Sequence, residues 1–281
     1  MTPLPRPTIK SIELYDITVG TVACQKIKDR LSSARELINE AYADYINKAE
    51  TFKLHELTSC SRGKYNQIIM CTLTKGELNK LYTAEMVGKN KPARKTYDKI
   101  MASAPHLKCP ICGIGDVESL DHFAAKAYYP TFAVLALNLS PACLSCNKGK
   151  SAPRMSQGNL SLHPYFEPSE VYNEAWLQAK VVQSLPPSVE FYSSPPGHWS
   201  EDLSTRTHNH FVGFNLAKRY GVQAASEMTV IISYLSELET AVSKRQHLER
   251  MARIESNTRQ NSWRAALYRA LSKNNWFIAT F

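Results

Sequence analysis

Two Cys-x-x-Cys pairs, Cys109-Pro-Ile-Cys112 and Cys143-Leu-Ser-Cys146, stand 30 residues apart in a chain of 281. Each pair has the spacing at which two thiolates chelate one ion, and together they supply the four soft ligands that tetrahedral zinc prefers. Four protein ligands close the coordination shell to water, so the zinc expected here is structural. Any fold the chain adopts must bring these two distant tetrapeptides together. The other three of the seven cysteines, Cys24, Cys60 and Cys71, are scattered and read as small core residues. An odd count and paired Cys-x-x-Cys spacing favour metal over a disulfide framework in a reducing compartment.

The residues between the pairs carry chemistry of their own. Leu120-Asp121-His122-Phe123 reads as a strand, which points the carboxylate and the imidazole to opposite faces unless a bulge or a metal brings them together. Tyr129 to Leu139 reads as a second apolar strand ending at Asn138. Cys146-Asn147-Lys148-Gly149-Lys150 begins or continues a helix. Phosphodiester cleavage needs a nucleophile made from water, charge stabilisation at the phosphorus oxygens and help for the leaving 3′ oxygen. An imidazole with a reference pKa near ~6.5 suits the first task, and hard oxygen ligands holding a divalent cation suit the others.

Asp121-His122, Asn138-Leu139 and Cys146-Asn147-x-x-Lys150, framed by the two cysteine pairs, resemble the HNH, or ββα-metal, nuclease family. The resemblance runs from Cys109 to Lys150 and joins three motifs in order. It implies that Asp121 and Asn147 bind a catalytic magnesium or manganese ion and that His122 takes a proton from the attacking water. Asn138 then steadies the loop or the His122 ring, and Cys109, Cys112, Cys143 and Cys146 hold structural zinc. Lys126, Lys148 and Lys150 lie near these residues in sequence and are expected to contact phosphates. Related cysteine-framed members often carry proline before the lysine of the Asp-His motif. This chain has Ala125 there, a difference of loop shape that bears on substrate geometry.

The layout around the motif is similar to stand-alone HNH effectors of prokaryotic anti-phage systems, of the Septu and retron-associated kinds, which pair with an ATPase. That resemblance implies a defence role and an ATPase partner subunit, with DNA favoured over RNA. A second reading of the same residues is a zinc-held module that binds nucleic acid or protein through an inactive HNH fold. Retention of Asp121, His122, Asn138 and Asn147 together weighs against it, since a scaffold needs none of these side chains.

Periodicity places helices on both sides. From about Thr21 to Tyr45 apolar residues recur at three- and four-residue steps, as an amphipathic helix requires. Thr74-x-x-Glu77 reads as a capping box opening a helix that ends near Gly88. Residues 88–95 form a basic hinge, either a solvated loop or a phosphate contact, and Tyr97 to Ala102 a short helix. Pro186 to Tyr192 alternates as a strand does, Ser193 to Gly197 reads as a turn, and helix returns from Phe211 onward. Tyr42 to Tyr45 and Trp263 to Phe281 read as core packing, with partner docking as the other use. The expected fold is α+β and mainly α: an N-terminal helical region (1–105), a ββα-metal module (106–166), and a C-terminal region of one short strand and helices (167–281). His163 falls close behind the module, where a place near the metal and a structural role are both open.

The formal charge of +9 favours a polyanionic partner without identifying one. The N-terminal stretch lacks the apolar core of a signal peptide, and the longest apolar run is too short to span a bilayer, so a cytoplasmic location away from membranes is expected.

Overall fold

Thr74 shows how directly sequence dictates local structure here. Its hydroxyl accepts the Glu77 N–H at 3.3 Å while the Glu77 carboxylate accepts the Thr74 N–H at 2.9 Å, so two backbone donors that a helix start leaves unpaired are both answered. The computed structural model describes residues 1–149 and 154–281. The chain divides into two compact units, one of residues 3–166 and one of residues 167–281 joined by Met1 and Thr2.

In the first unit, α1 (Ser11–Gly20), α2 (Gln25–Ser33) and α3 (Arg35–Glu50) precede a two-stranded sheet of β1 (Ile68–Met70) and β2 (Leu73–Thr74). The capped helix α4 (Lys75–Lys80) runs into a π-helical turn at Leu81–Met86, followed by α5 (Arg94–Ala102). Then come β3 (Ser119–His122), β4 (Leu139–Ala142) and α6 (Leu144–Gly149), with β3 and β4 antiparallel in the register Asp121 to Ser140 and His122 to Leu139. The strand pair does not bury its apolar face alone. Leu120, Ala124, Tyr129, Phe132 and Leu139 share one core with Tyr15, Leu31, Ile38, Tyr42 and Tyr45 of the preceding helices, and the Tyr45 ring lies 5.0 Å from that of Phe132.

The second unit holds α7 (Glu170–Asn173), the hairpin of β5 (Leu177–Val182) and β6 (Ser188–Ser193), then α8 (Glu201–Gly213), α9 (Leu216–Ser236), α10 (Ala241–Thr258), α11 (Trp263–Ser272) and α12 (Asn275–Thr280). Helices α9 and α11 pack on β6 and β5. The Asn261 amide ties them locally, accepting the Trp176 and Leu177 N–H groups and donating to the Val171 and Glu174 carbonyls. Among the described residues, no helix is long and apolar enough to cross a membrane.

Several expectations are corrected. The helix expected from Thr21 to Tyr45 is two helices broken at Ala34, where the Ser33 hydroxyl bonds the Asp29 carbonyl and competes with the helical ladder. The apolar run 129–139 is not a strand: it forms short turns at Pro130–Phe132 and Ala136–Asn138, and the strand begins only at Leu139. Nearly every residue of that run is buried, so a continuous apolar signal could not separate strand from buried loop. Cys60 is buried as expected, but Cys24 and Cys71 are exposed, the first at the start of α2 and the second in the turn between β1 and β2 at φ 50°. Strand β5 and the first half of α8 had no visible period. The buried face of α8 includes Arg206, Thr207 and His210, so apolar spacing does not mark it. Tyr42, Tyr45, Trp263 and Phe277 are all buried in cores.

Candidate active site and metal centre

The Cys109-Pro-Ile-Cys112 segment turns back on itself because Gly113 adopts φ 71°, a conformation open to glycine, and donates its N–H to the Cys109 carbonyl at 2.7 Å. Lys108 and Asp116 clamp the base of this turn with a 2.6 Å ion pair. Cys143 directly follows β4 and Cys146 sits in the first turn of α6. All four thiols are buried, and their sulfur atoms lie within 4.8 Å of one another. Zinc–sulfur bonds of about 2.3 Å place tetrahedral sulfurs about 3.8 Å apart, which is the separation of Cys112 and Cys143, 3.8 Å. Hydrogen bonds among the sulfurs, from Cys109 foremost, draw Cys143 down to about 6 and Cys112 further below the ordinary thiol range; Cys109 and Cys146 are pushed up as the proton-holding partners. The donor set fits one soft, four-coordinate metal ion, and no hydrolytic water has a place on it.

Asp121 and His122 close β3, and both are buried. The His122 Nε2 lies 2.9 Å from the Ala133 carbonyl. A carbonyl only accepts, so in the neutral ring Nε2 carries the proton and Nδ1 is the basic nitrogen. The imidazole packs edge-on against Tyr82 at 4.4 Å. Burial, with added contributions from Tyr97 and the Asp121 carboxylate, pushes the Tyr82 hydroxyl well above its usual range. Of the two, His122 touches the Tyr82 ring, while the Asp121 charge acts on its hydroxyl.

Asn147, half-buried on α6, donates its amide nitrogen to the Ser119 hydroxyl at 2.7 Å and to the Leu120 carbonyl at 3.3 Å. Ser119 and Asp121 are two residues apart on β3 and share a face, so Asn147 is fastened to the face from which Asp121 projects. With its nitrogen spent on the strand, the amide presents its oxygen for other use.

Asn138 has a different position. Its side-chain oxygen accepts the Ala124 N–H at 2.7 Å and the Tyr45 hydroxyl at 3.0 Å, and its nitrogen donates to the carbonyls of Ala124 at 3.1 Å and Phe132 at 3.0 Å. Three of these four bonds go to the loop between β3 and β4, the loop whose Ala133 carbonyl holds His122, and the fourth ties that loop to α3. His163 extends this network. Its Nδ1 accepts the Tyr165 N–H, so Nε2, 3.1 Å from the Tyr45 hydroxyl, is the donor there, and both nitrogens are engaged in the fold.

Of the expected phosphate contacts, Lys126 is half-buried with its ammonium 5.7 Å from the Tyr82 ring, and burial lowers its pKa. Lys148 is exposed on α6. Lys150 lies outside the described residues. In the basic hinge, Lys91 pairs with Glu85 at 2.6 Å and Arg94 with Asp98 at 2.8 Å, so two of its cations are turned inward to the fold. Sequence reasoning passed over Tyr82 and Lys75. Lys75 is fully buried, and its ammonium donates to the carbonyls of Ser61 at 2.7 Å and Ala127 at 2.5 Å, fixing the backbone beside Lys126. A π-helical turn, of the kind frequent at functional sites, carries Tyr82, but no sequence pattern marks such a turn.

The chain is 30% identical over 227 residues to Protein ea31 of Escherichia phage lambda, an alignment that covers 75% of this chain and 76% of the relative. The chain belongs to the ea31 family. No family model matches the sequence, and no solved structure matches it.

Proposed function

We propose that the protein is a metal-dependent endonuclease of the HNH kind that hydrolyses phosphodiester bonds, with DNA the favoured substrate. The observation that carries this reading is the fastening of Asn147 to the Asp121 face of β3, beside a histidine whose basic nitrogen is defined by its bond to Ala133. The cysteine cluster suits zinc and would lock α6 to the turn at 109–112, holding that geometry. A small strand pair with one helix buries little surface, and a bound ion adds folding free energy of order ~10 kcal/mol.

The Asp121 carboxylate and the Asn147 amide oxygen are hard ligands suited to magnesium or manganese, an ion that when bound would polarise the phosphate and offset charge on the leaving oxygen. His122 takes a proton from water at Nδ1, and the water oxygen forms a bond to phosphorus. The bond from phosphorus to the 3′ oxygen breaks, and that oxygen leaves with the electron pair and is then protonated. Asn138 positions the loop and makes no contact with the reacting atoms. The defence setting and ATPase control implied by the resemblance draw no support from a relative encoded by a phage, so the proposal is confined to the chemistry.

The test is cleavage of plasmid, single-stranded DNA and RNA with magnesium or manganese by the intact chain and by His122→Ala. Loss of the general base should slow cutting by roughly 10²–10⁴-fold. Equal cutting by both proteins would overturn the mechanism, and a zinc-loaded protein that binds nucleic acid but cuts with neither cation would favour the inactive scaffold.

A further inference from the structure

Joined to the candidate site through Lys126 lies a pocket lined by Arg62, Tyr65, Asn79, Lys80, Thr83 and Lys126 among others. Lys126 belongs to both places, since its ammonium lies over the Tyr82 ring and its side chain forms a wall of the pocket. The pocket gathers positive charge without matching negative charge. Glu77 also lines it, but that carboxylate is turned to Thr74 and Arg30. No ion pair engages Arg62, Lys80 or Lys126 among the described residues. Such a pocket suits an anion.

A further feature points to more than a phosphate. Tyr65 is 63% exposed, and it also borders a second, open depression lined by Ser61, Lys64 and Gln67. Its backbone is nevertheless fixed: the Tyr65 carbonyl accepts the Gly76 N–H at 2.8 Å, and a Cβ on Gly76 would come within 3.2 Å of that oxygen, so the close approach suits glycine. An exposed aromatic ring on a held backbone is a stacking platform. Asn79, 9% exposed, closes the wall of the pocket behind this ring. A phosphate alone makes no use of an exposed aromatic face, whereas a nucleobase stacks on it.

We infer that this pocket receives an unstacked nucleotide of a single strand, with its phosphate among Arg62, Lys80 and Lys126 and its base against Tyr65. A base inside a duplex has both faces covered and cannot reach the ring without being flipped out. The pocket therefore selects single-stranded or frayed nucleic acid. Its role as the neighbour of the scissile nucleotide rests on the nuclease reading; the binding itself does not.

The experiment measures fluorescence anisotropy of one labelled oligonucleotide, single-stranded and as a duplex, with the zinc-loaded full chain carrying His122→Ala so that no substrate is consumed. The single strand should bind at least about tenfold tighter than the duplex. Tyr65→Ala should weaken single-strand binding roughly 5- to 100-fold, and Tyr65→Phe should retain it. Lys80→Gln should lower the slope of log affinity against log salt by about 0.7. Equal binding of the two forms, or Tyr65→Ala that binds single strands as the parent does, would overturn the inference. An effect of Lys80→Gln on both forms with none of Tyr65→Ala would mark a plain phosphate surface and also overturn it. Failure of the nuclease reading shows separately, as equal cutting by the wild-type and His122→Ala chains while Tyr65-dependent binding persists.

Discussion

Asn138 is the residue whose removal should be most costly among those near the site. Asn138→Ala would strand the Ala124 N–H and the carbonyls of Ala124 and Phe132 in a buried loop, and leave the Tyr45 hydroxyl without its acceptor. Each unanswered buried group costs about 1–3 kcal/mol, and because neighbours relax together the expected loss of unfolding free energy in urea is on the order of 3 kcal/mol. Asn138→Asp should recover little of this, since a carboxylate has no donor for the two carbonyls. Asn138 stood out in the sequence as part of a motif, but its partners did not, because Tyr45 comes from a helix 93 positions upstream. Tyr82 and Lys75 were invisible for a related reason: a tyrosine or lysine in a helical segment has the same appearance whether it faces a buried histidine, a buried carbonyl or water.

At the level of elements, the four-cysteine cluster joins the turn at 109–112 to the start of α6, and α6 carries Asn147 onto β3. Removing one ligand should therefore loosen a helix as well as a metal. Cys112→Ser is expected to lose stoichiometric zinc, read by a colorimetric release assay, and to melt well below the parent, as should the parent after prolonged chelation. Unchanged melting after zinc loss would show that the apolar core alone holds α6. What was legible at this scale follows from locality. The capping box at Thr74 and Glu77 is a four-residue device and was readable with its partners. The run 129–139 was misjudged because its shape is decided by non-local groups: Pro130 withholds an N–H, and the Asn138 amide substitutes for strand pairing by bonding the loop backbone. Helix α8 was half missed because between Leu203 and Phe211 its inner face is filled by polar side chains, with Arg206 buried against Glu167.

Taken whole, the chain keeps its candidate chemistry and most of its charge excess in one unit: 22 of the 34 basic and 14 of the 25 acidic residues fall in positions 1–166, a balance of +8 against +1 for 167–281. Every candidate site residue and the core behind the strand pair lie within residues 3–166. A fragment of those residues is expected to melt cooperatively by circular dichroism and to hold one zinc per chain; an unfolded fragment would show that the second unit is needed for its stability. The fastening of Asn147 has a last consequence on this positively charged background. Because its nitrogen is held by the Leu120 carbonyl, the position calls for an amide, and a carboxylate there would face that carbonyl with like polarity. On the proposed assignment a divalent ion then meets one negative ligand, Asp121, and one neutral one, half the charge needed to neutralise it. The missing negative charge is what a phosphate backbone brings, so cation and nucleic acid would arrive as a coupled pair, each recruiting the other, and the empty protein would be spared a loaded active site until a strand is in place.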